Sequence, residues 1–399
     1  MPSPSTRSQH VPPSPFRLLM PYAAQAKARG IKVYHLNIGQ PDLETPAEAM
    51  QKVRETDLRI LAYSPDEGND SYREKLVNYY RRFGISVTAD QIIVTTGASE
   101  AIQFVFLSCF DEGDEVIIPE PFYANYNGFA QMYGVVIRPI TCRIETGFAL
   151  PDIAAFESMI TPRTRAIMIN NPTNPTGSFY PEAVLRELAK LVKRHDLFLI
   201  ADEVYSEFCY DDNPFFSILN LEDIAGQTIT ADSISKRFSA CGARIGSVTT
   251  RNPAVLEAVS AYAKLRLSAP ALGQVLAEAM LDLDESYLRS VKAIYDRRRQ
   301  VVYNRLQRMP GVVSYLPGGA FYCFARFPVD SAERFCQWLL ESFSHEGATV
   351  MLSPGKGFYA TPGLGLDEVR IACMISAEEL EGAMDCLERG LEAYPGRLN

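Results

Sequence analysis

Short apolar runs alternate with amphipathic helical patterns through the middle of the chain. Five of these runs contain few polar positions, and each is followed by turn or helix-cap residues: residues 91–95, 115–118, 166–169, 197–201 and 228–231. Continuous apolar runs are typical of strands buried on both faces, and strands that alternate with helices form parallel sheets. The pattern therefore predicts an α/β fold with a mostly parallel central sheet covered by helices.

A second region follows the central one. Apolar residues with helical spacing run from residue 270 towards residue 307, and Gly318 and Gly319 then interrupt the pattern before shorter strand and helix patterns. Because 399 residues exceed the length at which a single core keeps growing, we expect a large domain and a smaller one. The predicted parts are an N-terminal arm over residues 1–45 that packs with the small domain, a large domain over 46–290, and a small C-terminal α+β domain over 291–399. Residues 1–17, rich in Pro and Ser, are expected to be extended rather than folded.

Composition narrows the function classes. The hydrophobic share of 47% and the charged share of 22% are those of an ordinary globular protein, which argues against disorder and membrane insertion. A formal net charge of −9 disfavours binding to nucleic acid or anionic lipid. Eight cysteines without CxxC spacing and four histidines favour buried free thiols in a reducing compartment over a metal site. No apolar run of signal-peptide or membrane-span length is present, so we expect a cytoplasmic protein.

Chemically useful residues follow the predicted strands, where an open parallel sheet binds its ligands. Gly97, Ala98 and Ser99 come after the first strand and open a helix, and such a small-residue turn suits a phosphate because backbone N–H groups point out of the helix. The same residues could serve as an ordinary helix cap. Asn174 lies in an Asn- and Pro-rich loop after a buried strand, which places it either at the ligand edge of the sheet or in a surface turn.

Charged residues follow the next two strands. Asp202 ends a buried strand, where an ionised carboxylate needs a cationic partner such as a protonated pyridine nitrogen, although a helix-capping role is equally compatible. Lys236 follows the last strand, beside hydroxyl residues and a second cation at Arg244. This setting favours a lysine of lowered pKa with nucleophilic amine chemistry, whereas a lysine considered alone is usually a surface charge.

Taken together, the ordered motifs resemble the class I and II aminotransferases, which are fold type I pyridoxal-phosphate enzymes. The resemblance covers almost the whole chain, and bacterial aspartate aminotransferases are closest in appearance. The motifs are Asn37-Ile38-Gly39-Gln40-Pro41-Asp42, Tyr63 ahead of Gly68, Thr96-Gly97-Ala98-Ser99-Glu100, Asn174-Pro175-Thr176-Gly177, Ala201-Asp202-Glu203-Val204-Tyr205, Ser233-Ile234-Ser235-Lys236, Gly242-Ala243-Arg244-Ile245-Gly246 and Val369-Arg370-Ile371.

The resemblance implies a catalytic set formed by Lys236, Asp202 and Tyr205. Lys236 is similar to the lysine that binds pyridoxal 5′-phosphate as a Schiff base and then moves the substrate proton. Asp202 is similar to the carboxylate that keeps the pyridine nitrogen protonated. Asn174 and Tyr205 look like the pair that hydrogen-bonds the phenolate oxygen of the cofactor. Tyr123 lies where the family stacks an aromatic side chain on the ring, with Phe122 as an alternative.

The resemblance also implies the phosphate and substrate contacts. The phosphate ligands would be Gly97, Ala98, Ser99, Ser233 and Arg244, with Tyr63 reaching in from a second subunit, which implies a homodimer. Substrate contacts would be Gly39, Asn174 and Arg370, and Arg370 would bind the α-carboxylate in a bidentate geometry. For a distal carboxylate the candidate is Arg266, with Lys264 as the rival and a plain surface-basic segment as the alternative.

The implied activity is ping-pong transamination, in which an L-amino acid donates its amino group to a 2-oxo acid. Aspartate with 2-oxoglutarate is the favoured pair. Aromatic amino acids, prephenate, alanine and kynurenine stay open as alternatives, because fold analogy does not determine a substrate. An elimination enzyme that cleaves a C–S bond would use the same lysine and the same fold. A ligand-sensing regulator is disfavoured, because the sequence contains no basic DNA-binding module.

Overall fold

The structure is a computed structural model that describes residues 2–9, 12, 17–57 and 59–398. The helices are α1 (Thr6–Gln9), α2 (Met20–Ala28), α3 (Ala47–Arg54), α4 (Asp70–Arg81), α5 (Ala98–Cys109), α6 (Asn125–Tyr133), α7 (Ile153–Ser158), α8 (Glu182–His195), α9 (Pro253–Arg266), α10 (Ala271–Met280), α11 (Glu285–Leu306), α12 (Ala332–Glu341) and α13 (Ala377–Ala393). The strands are β1 (Lys32–His35), β2 (Ile92–Thr95), β3 (Glu115–Glu120), β4 (Val136–Thr141), β5 (Thr164–Asn170), β6 (Phe198–Asp202), β7 (Thr228–Ser233), β8 (Gly246–Thr250), β9 (Val313–Ser314), β10 (Tyr322–Arg326), β11 (Ala348–Met351), β12 (Ser353–Pro354) and β13 (Glu368–Ala372). In this part of the chain, none of the helices combines the length and the apolar composition that a membrane span requires.

Seven strands form the central sheet in the order β2-β8-β7-β6-β5-β3-β4. From β7 to β4 all neighbours are parallel, whereas β8 is antiparallel to both β2 and β7. Every residue of β2, β3, β7 and β8 is buried, because helices cover both faces of the sheet. The mostly parallel sheet predicted from the sequence is therefore confirmed.

Two helical layers enclose this sheet. One face packs against α5, α6 and α9, with Phe106 and Val259 in the shared core. The other face packs against α7 and α8, and α8 buries Leu185, Leu188 and Val192 with the spacing of an amphipathic helix. The carboxyl ends of β2, β5, β6 and β7 lie at one edge of the sheet, because these strands run in the same direction. That edge is where the site described below is located.

A four-stranded antiparallel sheet, ordered β12-β13-β10-β9, and the parallel pair β1-β11 form the smaller region with α12 and α13. Its core joins Leu19 and Ala23 of the N-terminal segment with Phe335 and Leu387. α11 crosses the predicted boundary near residue 290. Its first half packs on the large domain and its second half on the small one.

Two local expectations differ from the structure. The helical pattern over residues 270–307 is divided between α10 and α11, because the side chain of Asp284 accepts a hydrogen bond from the Ser286 N–H and starts a new helix. The expected extended arm, which lies partly outside the described residues, contains the single helical turn α1. Ser5 and Ser8 stabilise this turn, since the Ser8 hydroxyl donates to the Ser5 carbonyl at 2.7 Å.

Candidate active site

A cavity of about 530 Å³ opens at the carboxyl edge of the central sheet, between the two domains. Lys236, Asp202 and Asn174 enter it from the large domain, after β7, β6 and β5. Arg370 from β13 and Tyr322 from β10 enter it from the small domain. The cavity therefore joins an amine, a carboxylate, an amide, a guanidinium and a phenol, contributed by elements that are distant in sequence.

Lys236 is half-buried, and its Nζ donates a 2.6 Å hydrogen bond to the carbonyl of Gly39. Gly39 fits because a Cβ there would lie 1.8 Å from the Tyr322 hydroxyl oxygen, so no larger residue could bring its carbonyl to this place. The next residue, Arg237, is fully buried and binds both carboxylate oxygens of Asp232 at 2.8 to 3.0 Å. This ion pair holds the backbone on both sides of Lys236 and leaves its amine facing the cavity.

Asp202 is 5% exposed at the end of β6. Its Oδ2 accepts a 2.7 Å hydrogen bond from the Tyr126 hydroxyl, and its Oδ1 accepts one from the Val204 N–H at 3.3 Å. Burial raises the pKa of this carboxyl to about 6, although both hydrogen bonds act in the opposite direction. A buried acceptor of this kind is suited to a cationic N–H donor, which would compensate its charge.

A continuous hydrogen-bonded chain crosses the domain boundary. The side-chain amide of Asn174 donates to the Tyr205 hydroxyl at 3.4 Å, and a 3.0 Å hydrogen bond joins the hydroxyls of Tyr205 and Tyr322. Arg370 donates from Nη1 to the Asn174 Oδ1 at 3.0 Å and from Nη2 to the Asn37 carbonyl at 2.6 Å. Its guanidinium also lies 4.5 Å from the centre of the Tyr322 ring. These contacts fix the direction of the Arg370 guanidinium.

Arg244 stands against the start of α5. It adopts a left-handed φ of +54° and donates to the carbonyls of Cys241 and Thr96 at 3.0 and 3.3 Å. Gly97, which precedes α5, has a φ of +78°, and a Cβ on it would lie 2.3 Å from the Arg244 Nη2. Glycine is thus required twice over, for the backbone conformation and for the close approach of the guanidinium.

The first turn of α5 and two serines complete this corner of the cavity. Ala98 and Ser99 line the cavity, and the N–H groups at a helix start have no acceptor within the helix. The Ser233 hydroxyl donates to the Ile245 carbonyl at 2.8 Å and is hydrogen-bonded to the Ser235 hydroxyl at 2.7 Å. The helix N-terminus and the nearby Arg244 form a donor set that suits a phosphate, and the two serine hydroxyls would join it by exchanging their present acceptors for phosphate oxygens.

Tyr123 and Phe122 are separated by the structure. Tyr123 lines the cavity, and its hydroxyl accepts a 2.8 Å hydrogen bond from the side-chain amide of Asn125. Phe122 is 1% exposed and packs on Tyr126 in the core of the large domain, away from the cavity. Of the two aromatic candidates, only Tyr123 is placed to contact a ligand ring.

Tyr63 and Arg266 do not reach the cavity of their own subunit. Tyr63 is 78% exposed on a segment without helix or strand. Arg266 donates to the Glu100 carboxylate at 2.8 Å and to the Asp66 carbonyl at 2.9 Å, so its guanidinium is held in a structural ion pair. The expectation that Arg266 binds a distal carboxylate is not met in this cavity. The rival Lys264 is exposed on the last turn of α9 and does not line it either.

Several residues at the cavity were not anticipated as site residues from the sequence, among them Tyr322 and Arg17 in its lining and the fully buried Tyr126 behind Asp202. Tyr126, which binds Asp202, follows Tyr123 by three positions, and this helical spacing is a signal that could have identified it. Tyr322 follows the Gly318-Gly319 break but belongs to no polar motif. Arg17 lines the cavity from the turn that precedes α2. Neither Tyr322 nor Arg17 could be assigned by periodicity, because each reaches the cavity only through tertiary packing.

A mostly parallel sheet with a lysine, a carboxylate and a helix start suited to a phosphate along its carboxyl edge is the arrangement of a transferase of fold type I. The family described as aminotransferase class I and II matches residues 31–387. The aspartate aminotransferase of Pyrococcus horikoshii is 33% identical over 366 residues, which cover 90% of this chain and 91% of that relative. The aromatic-amino-acid aminotransferase 2 of Thermococcus litoralis is 31% identical, over 97% of this chain and 98% of that relative. A solved single mutant of Thermus thermophilus aspartate aminotransferase has a TM-score of 0.89 at 30% identity, covering 98% of this chain and 100% of that one.

The chain belongs to the class I and II aminotransferases, as its motifs indicated. It is therefore an enzyme that transfers amino groups. Enzymes of this family depend on pyridoxal phosphate and act on amino acids and oxo acids.

Proposed function

We propose that this enzyme holds pyridoxal 5′-phosphate on Lys236 and moves an amino group from an L-amino acid to a 2-oxo acid, with aspartate and 2-oxoglutarate as the preferred pair. The observation that carries the proposal is the meeting of Lys236, Asp202, Arg244 and Arg370 around one cavity of about 530 Å³. The Lys236 amine matches the cofactor aldehyde, and the Asp202 carboxylate matches the ring nitrogen. The two guanidinium groups, Arg244 and Arg370, match the cofactor phosphate and the substrate carboxylate.

The donor set fits the cofactor group by group. Ala98, Ser99, Ser233 and Arg244 would hold the phosphate, in the corner where a side chain on Gly97 would collide with Arg244. Tyr123 would stack on a face of the ring. Asp202, which is 5% exposed, would accept a hydrogen bond from the ring N–H. Asn174 and Tyr205 would hydrogen-bond the phenolic oxygen, since they already share a hydrogen bond at the cavity wall.

When bound, pyridoxal phosphate supplies an electron sink for the pair of electrons that the substrate α-carbon releases. Asp202 keeps a proton on the ring nitrogen, because a buried carboxylate stabilises a cation beside it. Lys236 accepts the α-proton of the amino acid at Nζ and later returns a proton from the same atom. Tyr205 holds its hydroxyl proton, because burial and the neighbouring Tyr322 raise the pKa of Tyr205 well above its usual value.

Arg370 binds and orients the substrate. Its guanidinium is almost fully buried and is held by Asn174 and Asn37, so it presents a fixed pair of N–H donors to an α-carboxylate. Gly39 accepts the 2.6 Å hydrogen bond from the Lys236 Nζ and carries no side chain that would block the approach of the substrate to this amine. Arg370 and Gly39 contribute to the rate because they allow the α-carbon to be oriented against the Lys236 Nζ.

The substrate proposal is supported by the named relatives. Two of the similar proteins described above are aspartate aminotransferases, and one is an aromatic-amino-acid aminotransferase. We favour aspartate over an aromatic donor because the cavity lining contains a further cation, Arg17, whose role is argued below.

We also propose a homodimer in which Tyr63 extends towards the phosphate site of the second copy. A hydrogen bond from the Ser64 hydroxyl to the Ala269 carbonyl at 3.1 Å joins two surface segments. The exposed apolar side chains of these adjoining segments are Ile60, Leu61, Tyr63, Leu265 and Leu267. A patch of this kind marks a protein interface, since soluble monomers rarely expose so many neighbouring apolar residues.

Reconstitution with pyridoxal phosphate tests the cofactor assignment. The wild type should absorb in the visible, and borohydride reduction should fix the cofactor on the peptide that contains Lys236, as mass spectrometry would show. Lys236→Ala should lose both the covalent link and turnover, whereas the surface control Lys190→Ala should keep both. Retained turnover in Lys236→Ala would contradict the proposal, as would release of pyruvate and ammonia without any requirement for a 2-oxo acid.

Mixed dimers test the position of Tyr63. When the inactive variants Tyr63→Ala and Lys236→Ala are refolded together, the heterodimer should contain one intact site, because Lys236 of one chain then meets Tyr63 of the other. We therefore expect activity in the mixture that neither variant shows alone. If the mixture stays inactive while size-exclusion chromatography shows heterodimers, Tyr63 does not act across the interface.

A further inference from the structure

Arg17 is the one basic residue of the described cavity lining for which the proposed chemistry has no use. The lining contains four basic residues, and three of them have roles above: Lys236, Arg244 and Arg370. Arg17 is exposed, and within the described part of the chain its guanidinium forms no hydrogen bond or ion pair. A cation in this position is available to a ligand.

The backbone at Arg17 is held in place by the small domain. Its carbonyl accepts a 3.1 Å hydrogen bond from the Met20 N–H in the turn that starts α2. Leu19, two residues further, is 5% exposed in the small-domain core with Ala23 and Ala26. Arg17 and Arg370 therefore belong to the same domain, on the side of the cavity that faces Lys236.

Among the residues that the structure describes, no acidic side chain forms an ion pair with Arg17. Residues 1–41 contain no Asp or Glu, so the N-terminal segment itself offers no partner. Asp202 is the only acidic residue among the described lining residues, and it is buried at the end of β6 with its Oδ2 bound to Tyr126. A ligand carboxylate that enters the cavity beside Arg17 would therefore be the first acidic partner of this guanidinium.

The other substrate groups already have partners under the proposed function. Arg370 takes the α-carboxylate and Lys236 faces the α-carbon, so the substrate side chain must occupy what is left of the cavity. Arg266, the candidate from sequence, is held by Glu100 and Asp66 instead. We infer that Arg17 is the specificity-determining residue, which binds the side-chain carboxylate of a dicarboxylic amino acid or oxo acid. This inference rests on the proposed function for the orientation of the substrate.

Binding of succinate to the holoenzyme tests the inference without turnover. Succinate carries two carboxylates and no amino group, and butyrate is the matched monocarboxylate. By isothermal titration calorimetry, Arg17→Ala should weaken succinate binding roughly 10- to 100-fold, because a charge-assisted hydrogen-bonded pair is lost. Butyrate binding should be unchanged. The succinate affinity of Arg17→Lys should lie between those of the wild type and Arg17→Ala, since a lysine keeps the charge but not the bidentate geometry.

Lys27→Ala is the matched control, because Lys27 is an exposed cation on α2, the helix that follows Arg17, and it does not line the cavity. It should bind succinate like the wild type. Equal succinate affinity in the wild type and Arg17→Ala would overturn the inference. So would a wild type that binds succinate no better than butyrate.

Steady-state kinetics separate this inference from the proposed function. Arg17→Ala should lower kcat/KM for aspartate and glutamate by the same roughly 10- to 100-fold factor and leave kcat/KM for alanine unchanged. An equal loss for all three amino acids would assign Arg17 a structural role and overturn the inference. A wild type that transaminates no amino acid would instead refute the proposed function, and the succinate titration would still decide the role of Arg17.

Discussion

Replacing Asp202 by asparagine should make the cofactor-free enzyme more stable while it weakens the enzyme as a catalyst. Burial raises the pKa of Asp202 from 3.8 to about 6 in the folded protein. The folded state therefore binds this proton more tightly than the unfolded chain, and the unfolding free energy falls as the pH rises through that window. At about 1.36 kcal/mol per pKa unit, the ionised carboxylate costs roughly 3 kcal/mol at neutral pH.

Asparagine removes this cost because it is uncharged at every pH. Its Oδ1 can still accept the hydrogen bond from Tyr126, whereas its amide nitrogen cannot accept the longer 3.3 Å bond from the Val204 N–H, so the gain is an upper bound. In urea unfolding of protein freed of cofactor, Asp202→Asn should gain up to roughly 3 kcal/mol above about pH 7, and the gain should vanish below about pH 4. The same variant should bind pyridoxal phosphate roughly 10- to 100-fold more weakly, since a charged acceptor is lost.

Glu203→Gln is the matched control for this experiment. Burial also raises the pKa of Glu203, to about 8, but its carboxylate binds the Ser217 hydroxyl and the Ile218 N–H outside the cavity. The control variant should therefore keep the cofactor affinity of the wild type. The reasoning would be refuted if Asp202→Asn were no more stable than the wild type above neutral pH, or if its gain persisted unchanged in acid.

Three further variants test the site. Gly97→Ala should weaken cofactor binding at least tenfold in a fluorescence titration, because the added methyl group collides with Arg244 and the backbone φ is left-handed; wild-type affinity would contradict this. Tyr126→Phe removes a hydrogen bond that lowers the pKa of Asp202. In this variant the loss of cofactor affinity on acidification should therefore begin at a higher pH than in the wild type. A pH profile equal to that of the wild type would contradict the role of Tyr126. Arg266→Ala should destabilise the fold by roughly 3 kcal/mol in thermal unfolding, because the partly buried Glu100 carboxylate is left uncompensated. It should change kcat/KM for aspartate and for alanine by the same factor, and a selective loss for aspartate would contradict this.

The central sheet was predictable where strands are continuous and apolar. Five of its strands were predicted within two residues of their observed bounds, because burial on both faces leaves few polar positions in their sequences. β4 was missed because it is an edge strand that contains Arg138 and Pro139, and an edge strand tolerates both. β8 was missed because Gly246, Ser247 and two threonines are buried there without being apolar.

From the strand pattern alone, the site was predictable only where it depends on chain direction. Lys236, Asp202 and Asn174 each follow a parallel strand, so their meeting at one edge follows from the topology. The pairing of Arg266 with Glu100 joins residues 166 positions apart, and no local pattern announces it. The same holds for Tyr322, whose hydroxyl meets Tyr205 across 117 residues. Contacts between domains depend on how two cores pack against each other, and no periodic pattern in the sequence indicates this packing.

The hydrogen bond from Arg370 to the Asn37 carbonyl spans 333 residues, and β1 pairs with β11 from the opposite end of the chain. During translation the large domain can therefore fold once its core helices α9 and α10 have left the ribosome, whereas β1 has to wait for almost the whole polypeptide. The half of the site that contains Arg370 is then the last part to be assembled. Under the proposed function, a nascent chain released early would contain the assembled residues for the cofactor phosphate before those for the substrate carboxylate.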